Sequence, residues 1–192
     1  MLVALALLAL AASPEPLVEV SSQLPDAIID LRYATDDNFM KKAVYPPTAK
    51  CLLVERAVKG LVKAAAALRQ RGYRLRLYDC YRPSHVQYEL WKAKPVVGYV
   101  ANPKTGSHHS RGGSVDLTLA TLEGGPVEMP SSYDAFGKAA HQAFAGGSKS
   151  ARAHRDELRE AMEAAGFVRN AMEWWHFDVP DAVRFPLRDD PF

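Results

Sequence analysis

Residues 107–119 read SHHSRGGSVDLTL, and the second half of this stretch decides the fold. Val115, Leu117 and Leu119 alternate with Ser114, Asp116 and Thr118, the two-residue period of a strand with one apolar face. The strand follows two glycines and carries a carboxylate at its centre. Asp116 lies opposite the face that Val115 and Leu117 bury, and an unpaired carboxylate there is expensive to desolvate. Its partner is a lysine or arginine, or a metal ion. His108 and His109 stand just upstream in a glycine-containing loop, which can fold a histidine back over the strand.

Outward from that strand, Tyr73–Asp79 alternates in the same way, with Leu75 and Leu77 against Arg74 and Arg76, as a half-buried strand does. Short strands are expected at Ile28–Tyr33 and Trp174–Val179, with a turn at Asp36–Asn38 and a loop over Leu122–Ser132. Three helices are predicted. Leu52–Arg71 carries Val58, Leu61, Val62, Ala65 and Leu68 at helical spacing and stops before Gly72. Ser84–Ala93 forms a shorter one, and Arg152–Ala165 ends at Gly166. No βαβ rhythm links these elements. The fold class is therefore α+β, a small, mostly antiparallel sheet with helices packed on it.

The chain has 192 residues, 48% of them hydrophobic and 24% charged, which suits one domain with one core. A net charge of +2 with a pI near 8.5, spread over interspersed acids and bases, gives no nucleic-acid footprint. The first residues, MLVALALLALAAS, are apolar and contain Ala9-Leu10-Ala11. The run is too short to span a bilayer and matches a secretory signal with an A-x-A cleavage site. Residues 1–12 are thus expected to be a signal peptide and 13–192 the single domain, exported to the periplasm, with no membrane association beyond export. Export favours a disulfide between the only two cysteines, Cys51 and Cys80. One precedes the long helix and the other follows the strand that returns from it, so their ends meet. Two buried free thiols are the alternative; no Cys-x-x-Cys supports zinc binding by this pair.

A second cluster is Glu173-Trp174-Trp175-His176. Zinc hydrolases use three protein ligands from His, Asp and Glu, and a carboxylate beside the open position that takes a proton from water. His109, Asp116 and His176 supply such ligands and Glu173 such a base. No H-E-x-x-H occurs, which rules out the helix-borne zinc site. In an unbroken strand Glu173 and His176 would point to opposite faces, so the backbone has to turn between them if both belong to the site.

His109-x6-Asp116 with Glu173-x-x-His176, and Tyr81-Arg82-Pro83 after a strand, resembles the D-alanyl-D-alanine dipeptidases. These are zinc peptidases of the superfamily that also holds D-Ala-D-Ala carboxypeptidases and the hedgehog domain. The resemblance runs from Asp30-Leu31-Arg32-Tyr33 to Glu173-Trp174-Trp175-His176-Phe177. It implies one zinc ion per chain, held by His109, Asp116 and His176, with His108 in a variable position of the motif Ser-x-His-x-x-Gly-x-x-x-Asp. It implies that Glu173 is general base and acid, and that Arg82 stabilises the tetrahedral oxyanion. It also implies that Asp134 pairs with the substrate ammonium, that Tyr33 lies beside Asp134, and that Ser107 bonds the substrate near its carboxylate. The expected substrate is the small dipeptide D-Ala-D-Ala, hydrolysed in cell-wall dipeptide salvage or turnover. An export signal, and Cys80 where the vancomycin-resistance branch has glycine, separate this chain from that branch. The rival readings are a carboxypeptidase of the same superfamily on longer wall peptides, which Asp134 argues against, and a zinc-stabilised binding module without catalysis, which Glu173 and Arg82 argue against. His85, His141 and His154 are expected on the surface.

Overall fold

In the computed structural model, which describes residues 15–192, the described chain begins with β1 (Leu17–Glu19) and β2 (Ile28–Ile29). β3 (Leu52–Val54), α1 (Glu55–Arg69), β4 (Tyr73–Asp79) and α2 (Ser84–Ala93) follow. Then come β5 (Ser114–Thr121), α3 (Lys149–Ala164), β6 (Val168–Arg169) and β7 (His176–Asp178). The expected signal peptide lies outside the described residues.

Five strands form one sheet in the order β2-β4-β5-β7-β6, and β1 pairs with β3 in a separate two-stranded ribbon. Only β2 and β4 run parallel; the other pairs are antiparallel. The α+β expectation is met. One face of the sheet presents Leu75, Leu77, Val115, Leu117 and Leu119, all at most 1% exposed. Against it lie the apolar stripe of α1, with Val58, Leu61 and Leu68 buried, and that of α3, with Leu158 and Met162 buried. A Cβ on Gly60 would come within 2.6 Å of the Phe167 ring. That close fit is why a glycine is tolerated inside α1 despite its cost of about 1 kcal/mol.

Three expectations need correction. Leu52–Val54 is a strand, because its backbone pairs with Leu17–Glu19, a partner 35 or so residues away along the chain that periodicity cannot reveal. Ile28–Tyr33 is a strand for two residues only, after which Arg32–Ala34 tightens into a 3₁₀ turn. That turn buries Tyr33. The last strand starts at His176, since Trp174 and Trp175 occupy a turn. Both indoles are at most 2% exposed.

A register shift interrupts β4: Leu77 pairs with Leu117, but Asp79 pairs with Asp116. Two residues of β4 therefore oppose one of β5, the signature of a bulge. Without it Asp79 would share the apolar face of Leu75 and Leu77, four and two residues before it. With it the carboxylate moves to the face of Asp116. Asp79 also ends at the bridge that closes this region, Cys51–Cys80, with Cα atoms 5.2 Å apart. Tyr81 N–H donates to the Leu52 carbonyl at 2.9 Å, so the two chain segments meet covalently and through the backbone. The bridge closes a loop of 29 residues, for which chain-entropy arguments give about 3–4 kcal/mol. The double variant C51S/C80S should lose about this much stability in a urea titration, and reduction of the wild type should match it.

Candidate active site

Asp116 and His176 face each other directly across β5 and β7, and Ser114 faces Asp178 two pairs further on, on the same face. Directly opposed residues on antiparallel strands hold their side chains side by side. His176 Nδ1 lies 2.9 Å from Asp116 Oδ1. His109 comes from the loop before β5. Its Nε2 is 3.1 Å from His176 Nδ1 and 3.3 Å from Asp116 Oδ1. His109 and Asp116 are at most 3% exposed.

The outer nitrogens fix the tautomers. His109 Nδ1 is 2.7 Å from the Cys80 carbonyl, which only accepts, so Nδ1 carries the proton and Nε2 the lone pair. His176 Nε2 is 3.0 Å from Asp178 Oδ1, so Nε2–H donates outward and Nδ1 faces inward. Asp116 Oδ2 accepts from the Tyr133 hydroxyl at 2.9 Å, which leaves Oδ1 for the centre. His109 Nε2, His176 Nδ1 and Asp116 Oδ1 thus converge. Without a cation His176 holds a second proton for Asp116, because against the effect of burial its two aspartate neighbours push its pKa up. A cation at the centre would displace that proton. Ligand atoms about 2.0–2.1 Å from a tetrahedral zinc lie about 3.3 Å from one another, and the three edges match that spacing. The donor set and its outer partners fit a divalent cation. Among the described residues, His109, Asp116 and His176 form the group whose donor atoms lie close enough together to hold a metal ion.

The glycines allow the loop its path. After the 3₁₀ turn His109–Arg111, Gly112 has φ of +70°, in the left-handed region that suits glycine. A Cβ there would lie 2.4 Å from Leu17, and one on Gly113 would lie 2.8 Å from Ala182.

Glu173 does reach the site, because the chain turns between it and His176: His176 N–H points back to the Glu173 carbonyl at 3.4 Å. Its Oε2 stands 3.9 Å from His176 Nδ1 and accepts from Asn170 Nδ2 at 2.9 Å. Burial pushes the Glu173 carboxyl up to about 8; His176 opposes the shift and Asp116 adds to it. A carboxyl poised near neutrality suits proton transfer.

Arg82 is 7% exposed, not the surface arginine that a turn after a strand would place in solvent. Its Nε and Nη2 donate to Asp79 Oδ2 at 3.0 and 2.5 Å, and Nη1 donates to Gln87 Oε1 at 2.7 Å. Two of its five N–H groups have no partner among the described residues, and the residue lines the cavity. Asp79 is itself held by the Tyr45 hydroxyl at 2.6 Å and the Cys80 N–H at 2.9 Å. The guanidinium lies over the Tyr33 ring at 5.0 Å.

Asp134 lines the same cavity of about 290 Å³ as the three metal-type ligands, Glu173 and Arg82. It sits in the left-handed region with φ of +57°, an uncommon conformation that aspartate tolerates better than most. Tyr33 Oη stands 3.4 Å from its Oδ1, and Phe39 N–H donates to its Oδ2 at 3.1 Å. Asn38 shapes that loop by donating to the carbonyls of Arg32, Thr35 and Lys42. Burial raises the Asp134 carboxyl to about 7, opposed first by the Phe39 N–H bond. Ser107 also lines the cavity, with Oγ accepting from His109 N–H at 3.2 Å. His85, His141 and His154 lie outside the cluster, bonded to Asp189, Tyr99 and the Glu128 carbonyl.

Sequence reasoning missed Asp79, Gln87, Tyr133, Asn170 and Asp178. Asp79 closes the strand Tyr73–Asp79, and Tyr133 directly precedes Asp134. Asp178 could have been found from its spacing, two residues after His176 on the same strand face.

The family model described as D-ala-D-ala dipeptidase matches residues 14–192. The chain belongs to the D-Ala-D-Ala dipeptidase family. It is 38% identical over 176 residues to the D-alanyl-D-alanine dipeptidase of Escherichia coli K12, covering 92% of this chain and 91% of the relative. It is 33% identical over 186 residues to that of Enterococcus faecium, covering 85% and 87%. The similar enzyme of Enterococcus faecalis is 33% identical over 178 residues. Members of this family are metallopeptidases, in agreement with the donor set at His109, Asp116 and His176.

Elemental analysis of the purified protein should find one divalent ion per chain, and H109A, D116A and H176A should each lose it. Retention of full metal content in D116A would contradict the ligand set.

Proposed function

We propose that this protein is a zinc-dependent dipeptidase that hydrolyses D-Ala-D-Ala to two D-alanines. One observation carries the reading. A buried carboxylate able to take an ammonium, Asp134, shares one small cavity with a metal-type donor triangle and a proton-accepting glutamate. At about 290 Å³ the cavity is at the lower limit of small-molecule sites, which run from about 300 Å³ upward. A free dipeptide fits such a space, and a longer peptide would have to displace Asp134's partners.

Zinc held by His109, Asp116 and His176 would supply Lewis-acid activation of water and of the scissile carbonyl. The side chains do the rest. Asp134 anchors the ammonium, and Ser107 donates its hydroxyl to the carboxylate end. Glu173 accepts a proton from the attacking water and returns it to the leaving amine. The two free N–H groups of Arg82 stabilise the negative charge that builds on the carbonyl oxygen; Asp79 and Gln87 keep the guanidinium from turning away. The apolar leader MLVALALLALAAS and the Cys51–Cys80 bridge support export to an oxidising compartment, the periplasm. Turnover or salvage of wall-derived dipeptide is the role that follows there. Among the described residues no helix is long and apolar enough to cross a membrane.

The decisive assay offers purified zinc-loaded protein D-Ala-D-Ala, L-Ala-L-Ala, N-acetyl-D-Ala-D-Ala and a D-Ala-D-Ala-ended pentapeptide. Only the free D,D-dipeptide should be cleaved efficiently; ready cleavage of the acylated or longer substrates would favour the carboxypeptidase reading. E173Q should keep its zinc and lose about 10²- to 10⁴-fold in kcat, and near-normal turnover would remove Glu173 from the proton-transfer role.

Because E173Q binds without turnover, it isolates Asp134. The ammonium needs the ionised carboxylate, so the Kd of D-Ala-D-Ala for E173Q should rise about tenfold per pH unit below about 7. E173Q/D134N should bind weakly at every pH in this range. The sign also holds for stability. A folded pKa above the ordinary 3.8 means that the fold gains from this proton at low pH and loses that gain as pH rises through about 7.

A further inference from the structure

His108 and His109 are adjacent in sequence, yet only His109 belongs to the donor triangle. His108 lies in the right-handed region with φ of −66° and ψ of −28°. Consecutive side chains on such a turn are splayed by about 100–120°, so the two rings cannot aim at one point. The backbone at His108 is fixed as well, since its carbonyl accepts from Arg111 N–H at 3.0 Å and Gly113 N–H at 3.2 Å.

The ring of His108 goes to Asp178. Its Nδ1 is 3.1 Å from Asp178 Oδ2, and its side chain remains 38% exposed. The other oxygen, Oδ1, accepts from His176 Nε2 at 3.0 Å and from Ser114 Oγ at 2.5 Å. One carboxylate is thus held on both oxygens. The two contacts at Oδ1 alone leave the carboxylate free to swing about its own bond; a donor at Oδ2 fixes its plane. That plane sets the direction in which His176 must point Nε2–H, and hence where its Nδ1 lone pair arrives. His108 also joins the loop that carries His109 to the strand that carries His176, the two halves of the donor triangle.

We propose that His108 is a positioning residue of the metal centre, acting through Asp178 to orient His176. The inference rests on the reading of His109, Asp116 and His176 as a zinc site. Outer partners of metal-bound histidines are worth about 10- to 100-fold in metal affinity, and His108 secures such a partner.

The test compares wild type, H108A, H108L and H108N for zinc affinity by chelator competition, and for the visible absorption of the cobalt(II)-substituted protein. Circular dichroism checks that each variant is folded. H108A and H108L lack a donor and should each bind zinc about 10- to 100-fold more weakly, with an altered cobalt spectrum. H108N keeps an N–H near the position of Nδ1 and should recover most of the affinity. At saturating zinc the donor-free variants should lose kcat for D-Ala-D-Ala with KM little changed. Wild-type zinc affinity and cobalt spectrum in H108L would overturn the assignment, as would a loss confined to KM, which would make His108 a substrate contact. If H108A fails to fold, H108L against H108N decides. Wild-type protein that binds no zinc would overturn the metal-site reading itself, and this proposal with it. Zinc binding without dipeptide hydrolysis would remove the proposed substrate and leave the His108 assignment standing.

Discussion

Three buried lone pairs about 3 Å apart, on His109 Nε2, Asp116 Oδ1 and His176 Nδ1, are the constraint on which the rest of the site depends. Such atoms repel one another unless a proton or a cation lies between them. The outer partners direct one proton of each ring outward, to the Cys80 carbonyl and to Asp178, which leaves the centre to a cation or to a second proton on His176. Each fixed element around the triangle then has a physical purpose. The β5–β7 register opposes Asp116 and His176. The glycine-bearing loop swings His109 over the strand, and the segment tied by the disulfide brings the Cys80 carbonyl under His109.

The carboxylates around this centre divide by environment. Asp116 and Asp178 are each surrounded by donors, and the histidines hold both well below the usual carboxylate range against the opposing effect of burial. Glu173 and Asp134 are buried with fewer donors and move up instead, to about 8 and about 7. The same functional group therefore serves as permanent anion in one pair and as titrating group in the other. Asp79 is a third case. It is fully buried beside Arg82, and removing one partner of such a pair typically costs about 3–5 kcal/mol.

Much of this was legible in the sequence. The strands Tyr73–Asp79 and Ser114–Thr121 follow from strict alternation, α1 from the apolar spacing of Val58, Leu61, Val62, Ala65 and Leu68, and the end of α3 from Gly166. The metal-type residues were legible as residue types at family spacing, and the turn between Glu173 and His176 was required by their odd separation. These features are local: periodicity, capping and spacing act within one turn or one strand, so a single sequence carries them. The cysteine pairing was legible too, since a helix with an antiparallel return brings its ends together.

What only the tertiary structure decided is which residues hold the site residues still. The bulge that turns Asp79 toward Arg82, the Tyr133 hydroxyl on Asp116, the Asn170 amide on Glu173 and the Asp178 carboxylate between His176 and His108 all join distant or differently facing residues. The strand at Leu52–Val54 escaped for the same reason, because its partner is Leu17–Glu19. A sequence fixes which side chains can donate and accept, through their chemistry and local spacing. Which donor meets which acceptor depends on strand register and loop path, and those are set by the packing of the whole core at once.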